Sequence, residues 1–146
     1  MLSAQDAGLP LHSVSVAGAV LREDGRLLAI QRRDNGAWVL PGGVLELAED
    51  PQAGVYREVL EETGIEVSVD RLTGVYKHST RGVVALVFLC RPSGGTERLS
   101  EESKAVAWFT PEEVSARMPE VFSIRLLDAL DGAGPHVRSH NGCHLT

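Results

Sequence analysis

An α/β or α+β fold, with helices packed on a β-sheet, is predicted by three features of the chain. Residues 83–90, VVALVFLC, form an almost continuous apolar run rich in β-branched residues. That is the pattern of a central strand buried on both faces. Residues 51–63 are bracketed by helix signals: Asp50 as N-cap, Pro51 at the first helical position and Gly64 just past the end. Further on, Thr110-Pro111-Glu112-Glu113 has the form of a capping box and announces another helix. Strands with one helix inserted and others appended bury their apolar faces by layering helices on the sheet.

The remaining elements follow in order. Residues 1–12 read as a flexible leader, 13–131 as one domain and 132–146 as a polar tail. Val14, Val16, Ala17, Ala19, Val20 and Leu21 predict a strand, Glu23-Asp24-Gly25-Arg26 a turn, and residues 27–31 a returning strand, so a hairpin is expected. Residues 38–40 are a short apolar piece stopped by Pro41. After the helix, residues 65–76 are extended with a break near Asp70, and residues 92–96, PSGGT, read as a loop. A short strand over 105–109 precedes the capping box, Met118-Pro119 ends the helix it opens, and 121–130 is a last helix. The tail contains His136, His140, Cys143 and His144, but Pro135 and Gly142 interrupt any helical stripe, so a loosely packed extension or a small terminal hairpin is expected.

Composition narrows the function. A chain of 146 residues is one domain, long enough to enclose a core. A formal net charge of −6 argues against broad nucleic-acid binding. No apolar run is long enough to span a bilayer, and the N-terminus lacks the basic and apolar regions of a signal peptide. Two cysteines make no disulfide framework, and together these features point to the cytoplasm.

The chemistry concentrates on the helix at 51–63. At about 100° per residue, Tyr56, Val59, Leu60 and Thr63 fall on one side, and Glu58, Glu61 and Glu62 centre about 150–160° away. One face then docks on the sheet while the other presents three carboxylates. Glu58/Glu61 and Glu58/Glu62 are three and four apart, so each pair repels by roughly a few tenths of a kcal/mol. Arg57, four before Glu61, relieves part of this. Taken alone, the carboxylates fit either a solvated acidic face or a site for a hard divalent cation such as Mg²⁺ or Mn²⁺. Gly42 and Gly43 before them let the backbone approach a ligand closely.

The spacing is specific. Gly43, five residues, Glu49, seven residues, Arg57-Glu58-Val59, one residue, Glu61-Glu62, one residue, Gly64-Ile65: this resembles the Nudix box at every defining position. The box covers residues 43–65, and WVLPGG over 38–43 is similar to the family's approach to it. The resemblance implies an α/β/α sandwich with a mixed central sheet, hydrolysing a diphosphate linkage in a small nucleoside diphosphate derivative with Mg²⁺ or Mn²⁺. By the same resemblance Glu58, Glu61 and Glu62 hold metal, joined by the Gly42 carbonyl. Arg57 orients the glutamates, and Glu49 braces the loop that contains Gly43 and Glu46. The family's general base is either a box glutamate, here Glu61 or Glu62, or an acid on a later loop, which Glu102, six before Trp108, resembles, although a solvated loop charge fits Glu102 equally. Metal-assisted attack by water needs no nucleophilic serine, and no GxSxG motif is present.

Substrate choice lies outside the box. Arg32, Arg33 and Arg81 are candidates for phosphates, Trp38 for stacking on a base, and Tyr76 and His78 for the pocket wall; each also has an ordinary role in core or surface. The proline expected downstream of the box in many ADP-ribose pyrophosphatases is absent near 80–83. Nucleoside triphosphates and nucleotide sugars are therefore favoured, with ADP-ribose as the alternative. A nucleotide-sensing domain predicts a degraded box, which this is not. An isoprenoid diphosphate isomerase predicts a pocket cysteine, for which Cys90 in an apolar strand is a poor candidate. The resemblance also admits a homodimer, for which the sequence marks no interface.

Overall fold

A computed structural model describes residues 7–146; half of the expected leader, residues 1–6, lies outside the described residues. The strands are β1 (Ser13–Val20), β2 (Leu27–Arg32), β3 (Trp38–Val39), β4 (Gly42–Val44), β5 (Ile65–His78), β6 (Val83–Gly95), β7 (Ser103–Phe109) and β8 (His136–His140). The helices are α1 (Pro51–Thr63), α2 (Pro111–Arg117) and α3 (Glu120–Leu130). A mixed five-stranded sheet runs β4-β1-β6-β5-β8, and a second sheet runs β3-β2-β7.

The alternation of side chains along the strands builds an α/β/α sandwich. Val16 and Val20 of β1 and Phe88 and Cys90 of β6 pack with Val55 and Val59 of α1. Ala17 and Ala19 of β1 and Ala85, Val87 and Leu89 of β6 face the other way, onto Val114 of α2, Met118 at its C-cap, and Leu126 and Ala129 of α3. Burying Val55 and Val59 stabilises the docking of α1 by roughly 1.5–3 kcal/mol each. The predicted caps are present. Asp50 accepts from the Ala53 N–H at 2.9 Å, and Gly64 takes the left-handed conformation at φ 77°. The capping box of Thr110 and Glu113 is complete. Residues 83–90 are central as expected, with β1 parallel on one side and β5 antiparallel on the other. The break expected near Asp70 is a register shift between Val69 and Arg71 within one long strand.

Three expectations are corrected. The first hairpin does not form: β1 and β2 meet only at the bridge Leu21↔Leu27 and then diverge into separate sheets. Both edges of β1 are already occupied, by β4 and β6, leaving no ladder for β2. Second, residues 92–95 belong to β6 rather than to a loop. The ladder with β1 stops at Cys90, so beyond it β6 is an edge, where Pro92 can sit without donating a hydrogen bond. Third, part of the tail is not loose. β8 adds to the sheet parallel to β5, with Tyr76 opposite Arg138 and His78 opposite His140. Arg138 makes two 2.8 Å hydrogen bonds to the buried Asp128 of α3, and Tyr76 Oη donates to the same carboxylate at 2.7 Å. That tertiary ion pair binds β8 to the domain. Among the described residues, no helix is long and apolar enough to cross a membrane.

Candidate active site

The β4 strand and α1 bring the box together. Arg57 is its hub. Its Nε and Nη2 donate to the two oxygens of Glu49, its Nη1 to Glu58 at 2.8 Å and Glu61 at 3.3 Å, and its Nη2 also to the Val44 carbonyl at 3.3 Å. Glu49 in turn accepts from the Glu46 N–H at 3.0 Å. The Arg57 guanidinium, with help from that N–H, holds the Glu49 carboxyl down at about 2. Glu46 itself is exposed, 3.9 Å from Arg57. One guanidinium thus joins the loop over 44–49 to the helix.

The three box carboxylates are not equivalent, contrary to the single acidic face expected from the helical wheel. The Glu61 side chain is 59% exposed and that of Glu58 12%, whereas Glu62 is buried at 6%. Tyr56, placed on the core side by the wheel, is instead exposed, and its hydroxyl donates to Glu66 at 3.2 Å. The last turn of α1 lies against β4, so Glu62 turns inward and accepts from the Gly42 N–H at 3.2 Å. Burial is the main force pushing its pKa up to about 8. The Gly42 hydrogen bond opposes this, and the charges of Glu58 and Glu102 add to it.

Both glycines of β4 are required, for different reasons. A Cβ on Gly42 would clash with the Val16 carbonyl oxygen, a backbone atom of the paired strand. A Cβ on Gly43 would lie 2.7 Å from the Glu58 carboxyl. Gly42→Ala is therefore expected to lower the thermal midpoint by several degrees. Gly43→Ala is expected to fold, because a side-chain end can move, and to lose activity by about 10–100-fold as Glu58 is displaced. A thermal melt and a rate on each variant check this; equal effects of the two variants would contradict it.

Beside the box opens a cleft of about 700 Å³. Its floor is the side of the main sheet that faces α3, where the small side chains of Ser15, Ala17 and Ala85 leave the space open. Gly42, Gly43 and Glu62 form one wall, and Arg32, Tyr76, His78, Arg81 and Glu102 also line it. Arg32 is already held by Asp34 in a two-point ion pair, whereas Arg33 and Arg81 have no carboxylate partner among the described residues. Trp38 is not in the lining; its ring packs 4.8 Å from that of Phe109. It belongs to the partly buried packing around the core because β3 pairs with β2 in the second sheet.

Sequence reasoning missed Arg125 and His140, which line the cleft from α3 and β8. Arg125 is one of three charges, with Glu120 and Asp128, in a mostly apolar helix, and nothing local marks it out. His140 carried the period-two pattern of HVRSH, which was masked by the polar composition of the tail. Asp128, Asp131 and His136 also gather outside the cleft lining, with ligand atoms within 4.8 Å of one another. Asp128 there is already committed to Arg138 and Tyr76, and His136 to Asp131 at 2.7 Å, so this cluster is a satisfied ion-pair network.

The comparisons with known proteins agree with this geometry. Residues 11–130 match the NUDIX domain. A "MutT-like protein" of Streptomyces ambofaciens is 76% identical over 136 residues, 93% of this chain and 88% of that one. An "ADP-ribose pyrophosphatase" of Methanocaldococcus jannaschii is 32% identical over 108 residues, 69% of this chain and 64% of that protein. The crystal structure of a MutT NUDIX hydrolase from Burkholderia pseudomallei superposes with a TM-score of 0.71 at 29% identity, covering 82% of this chain and 98% of that one. The chain belongs to the Nudix family of hydrolases. It is a pyrophosphohydrolase acting on a nucleoside diphosphate linked to another moiety.

Proposed function

We propose that the chain hydrolyses the diphosphate linkage of a nucleoside triphosphate or nucleotide sugar, with Mg²⁺ or Mn²⁺ held by Glu58, Glu61 and Glu62 and the Gly42 carbonyl. The observation that carries this reading is Glu62: a buried carboxyl beside a second acid, at the wall of an open cleft, with its pKa raised by that burial. A hard oxygen donor set suits a divalent cation, and the space at Gly43 that a Cβ would fill keeps Glu58 within the set. Such an ion supplies charge neutralisation on the phosphoryl oxygens and a more acidic water.

The protein's own residues do the rest. Arg57 positions Glu58 and Glu61, and Glu49 holds Arg57. Glu102, on the cleft wall, accepts a proton from the attacking water. Arg33 and Arg81, free of carboxylate partners among the described residues, bind substrate phosphates. Tyr76 and His78 shape the wall. A volume of about 700 Å³ lies within the usual range for a site that binds a nucleotide-sized ligand. ADP-ribose is the second substrate reading, favoured by the name of the 32% identical relative. We assign the working unit to residues 13–131 together with β8, and its location to the cytoplasm.

The test is a panel of dNTPs, oxidised dNTPs, nucleotide sugars, dinucleoside polyphosphates and ADP-ribose, each with Mg²⁺, with Mn²⁺ and with EDTA. Turnover of a dNTP or nucleotide sugar that EDTA abolishes is the expected result. Preference for ADP-ribose would replace the substrate assignment. Tight binding of one compound with no turnover of any would replace catalysis with sensing.

A further inference from the structure

Arg125 sits where a charge is costly. It is 8% exposed, yet no carboxylate lies within ion-pairing distance of it among the described residues. Its guanidinium lies over the rings of Tyr76 and Phe122, at 5.0 and 5.2 Å from their centroids, and its Nε donates to the Val121 carbonyl at 3.0 Å. Nearby acidity is spent elsewhere, since Asp128 serves Tyr76 and Arg138. Burial of an uncompensated guanidinium pulls its pKa down to about 10. Replacing such a group with an apolar one is often neutral or stabilising, so its presence calls for a reason other than stability.

His140 supplies a second, independent observation. Its Nδ1 faces the Gly142 N–H at 3.0 Å, and its Nε2 faces Arg125 Nη2 at 3.2 Å. A neutral imidazole has one acceptor nitrogen and one N–H, and a guanidinium only donates. Two donors therefore meet a ring that can accept from one of them. Burial and the neighbouring Arg125 both disfavour the protonated ring, which would accept from neither. This end of the cleft has more donors than acceptors, and an acceptor with negative charge is the missing complement.

Its distance from the box defines which part of a substrate would reach it. Strand order places β1 and β6 between β4 and β5, with β8 beyond. At about 4.8 Å per strand, β5 lies about 14 Å and β8 about 19 Å from β4. A single diphosphate held at Glu62 does not extend that far, whereas a group at the far end of a nucleotide-sized substrate does.

We infer that Arg125 and His140 form a built subsite for a second anionic group of the substrate, a phosphoryl or a carboxylate, carried on the moiety remote from the diphosphate that is cleaved. The subsite deepens the proposed function and rests on it for the location of the cleaved bond. It gives the enzyme selectivity for substrates charged at both ends.

The experiment uses the full chain in EDTA, so that no turnover is needed. Inorganic phosphate and acetate are titrated separately while the side-chain Nε–H signal of Arg125 is followed by NMR, assigned as the one missing in R125M. Expected is a saturable shift of that signal and a loss of about tenfold or more in affinity in R125M, partly restored in R125K. The anion that binds more tightly identifies the group. A purely structural Arg125 would lower the thermal midpoint of R125M and leave the anion affinity of the protein unchanged. That result, or an Nε–H signal unmoved by either anion in the wild-type protein, overturns the subsite. If R125M does not fold, the signal missing in R125K supplies the assignment, and its response in the wild-type protein decides. Failure here leaves metal-dependent hydrolysis standing. Arg125-dependent binding without hydrolysis of any compound in the panel would instead remove the proposed reaction and keep the subsite.

Discussion

Glu62→Gln is expected to abolish metal-dependent hydrolysis while making the metal-free protein more stable. With Glu62 in the proposed cation site, losing its carboxylate would remove several kcal/mol of transition-state stabilisation, a rate loss of about a thousandfold. The stability gain follows from linkage. The folded-state pKa of Glu62 is raised from 4.5 to about 8, chiefly by burial. Below about pH 4.5 the carboxyl is protonated in both folded and unfolded chains and contributes nothing to the difference. Between about 4.5 and 8 the unfolded chain releases the proton and the folded chain retains it, so stability falls as pH rises. Above about 8 the full penalty is present, on the order of a few kcal/mol. Glutamine keeps an acceptor for the Gly42 N–H and carries no charge. In EDTA near pH 9 the variant should melt about 5–10 °C above the wild type, and the gap should close toward pH 4.5. Added Mg²⁺ should then raise the wild-type midpoint more than that of the variant. A variant that retains full activity would remove Glu62 from the metal set, and one that melts below the wild type at every pH would remove the burial penalty.

Arg57→Met carries the second large effect. The guanidinium contacts four acids, Glu46, Glu49, Glu58 and Glu61, and also the Val44 carbonyl. Without it Glu58 and Glu61 repel each other, and the loop over 44–49 loses its anchor on the helix. Activity should fall about 100-fold, through a loss of positioning rather than of a metal ligand. Arg57→Lys should recover only part of this, since one ammonium cannot repeat the two-point contact with Glu49. A pH signature accompanies the change. Glu49 is depressed from 4.5 to about 2 by Arg57, so the stability it contributes is present above about pH 4.5 and is lost as pH falls toward 2. The difference in midpoint between wild type and Arg57→Met should therefore shrink over that acid range. A melt series across it, with rates at neutral pH, checks both effects. A gap that is flat in acid would mean that the Glu49 contact contributes nothing measurable.

Much of the fold and the box was legible from residue order because the signals are local. Asp50, Pro51 and Gly64 bound α1 by satisfying or relieving its own end groups, and Thr110 with Glu113 does the same for α2. The box could be read because Arg57, Glu58, Glu61 and Glu62 share one helix, and helical spacing converts sequence separation directly into proximity. The errors arose where a partner from a distant part of the chain decided the outcome. Glu62 is buried because β4 packs over the last turn of α1, and Tyr56 is exposed where its hydroxyl meets Glu66 of β5; a wheel drawn for the isolated helix contains neither strand.

By itself, then, the sequence determined the class of layered fold, the position of α1 and a spacing that resembles the Nudix box and so implies diphosphate hydrolysis. These rest on interactions within a few residues, on periodicity and on fixed separations along one helix. Only the tertiary structure decided that β1 and β2 part into two sheets, that Glu62 is buried while Glu61 is exposed, and that β8 closes the sheet through Arg138 and Asp128. It also brought Arg125 and His140 into the cleft. Each of these depends on desolvation, or on pairing between residues far apart in the chain. Neither is a property of a residue until the chain is folded around it.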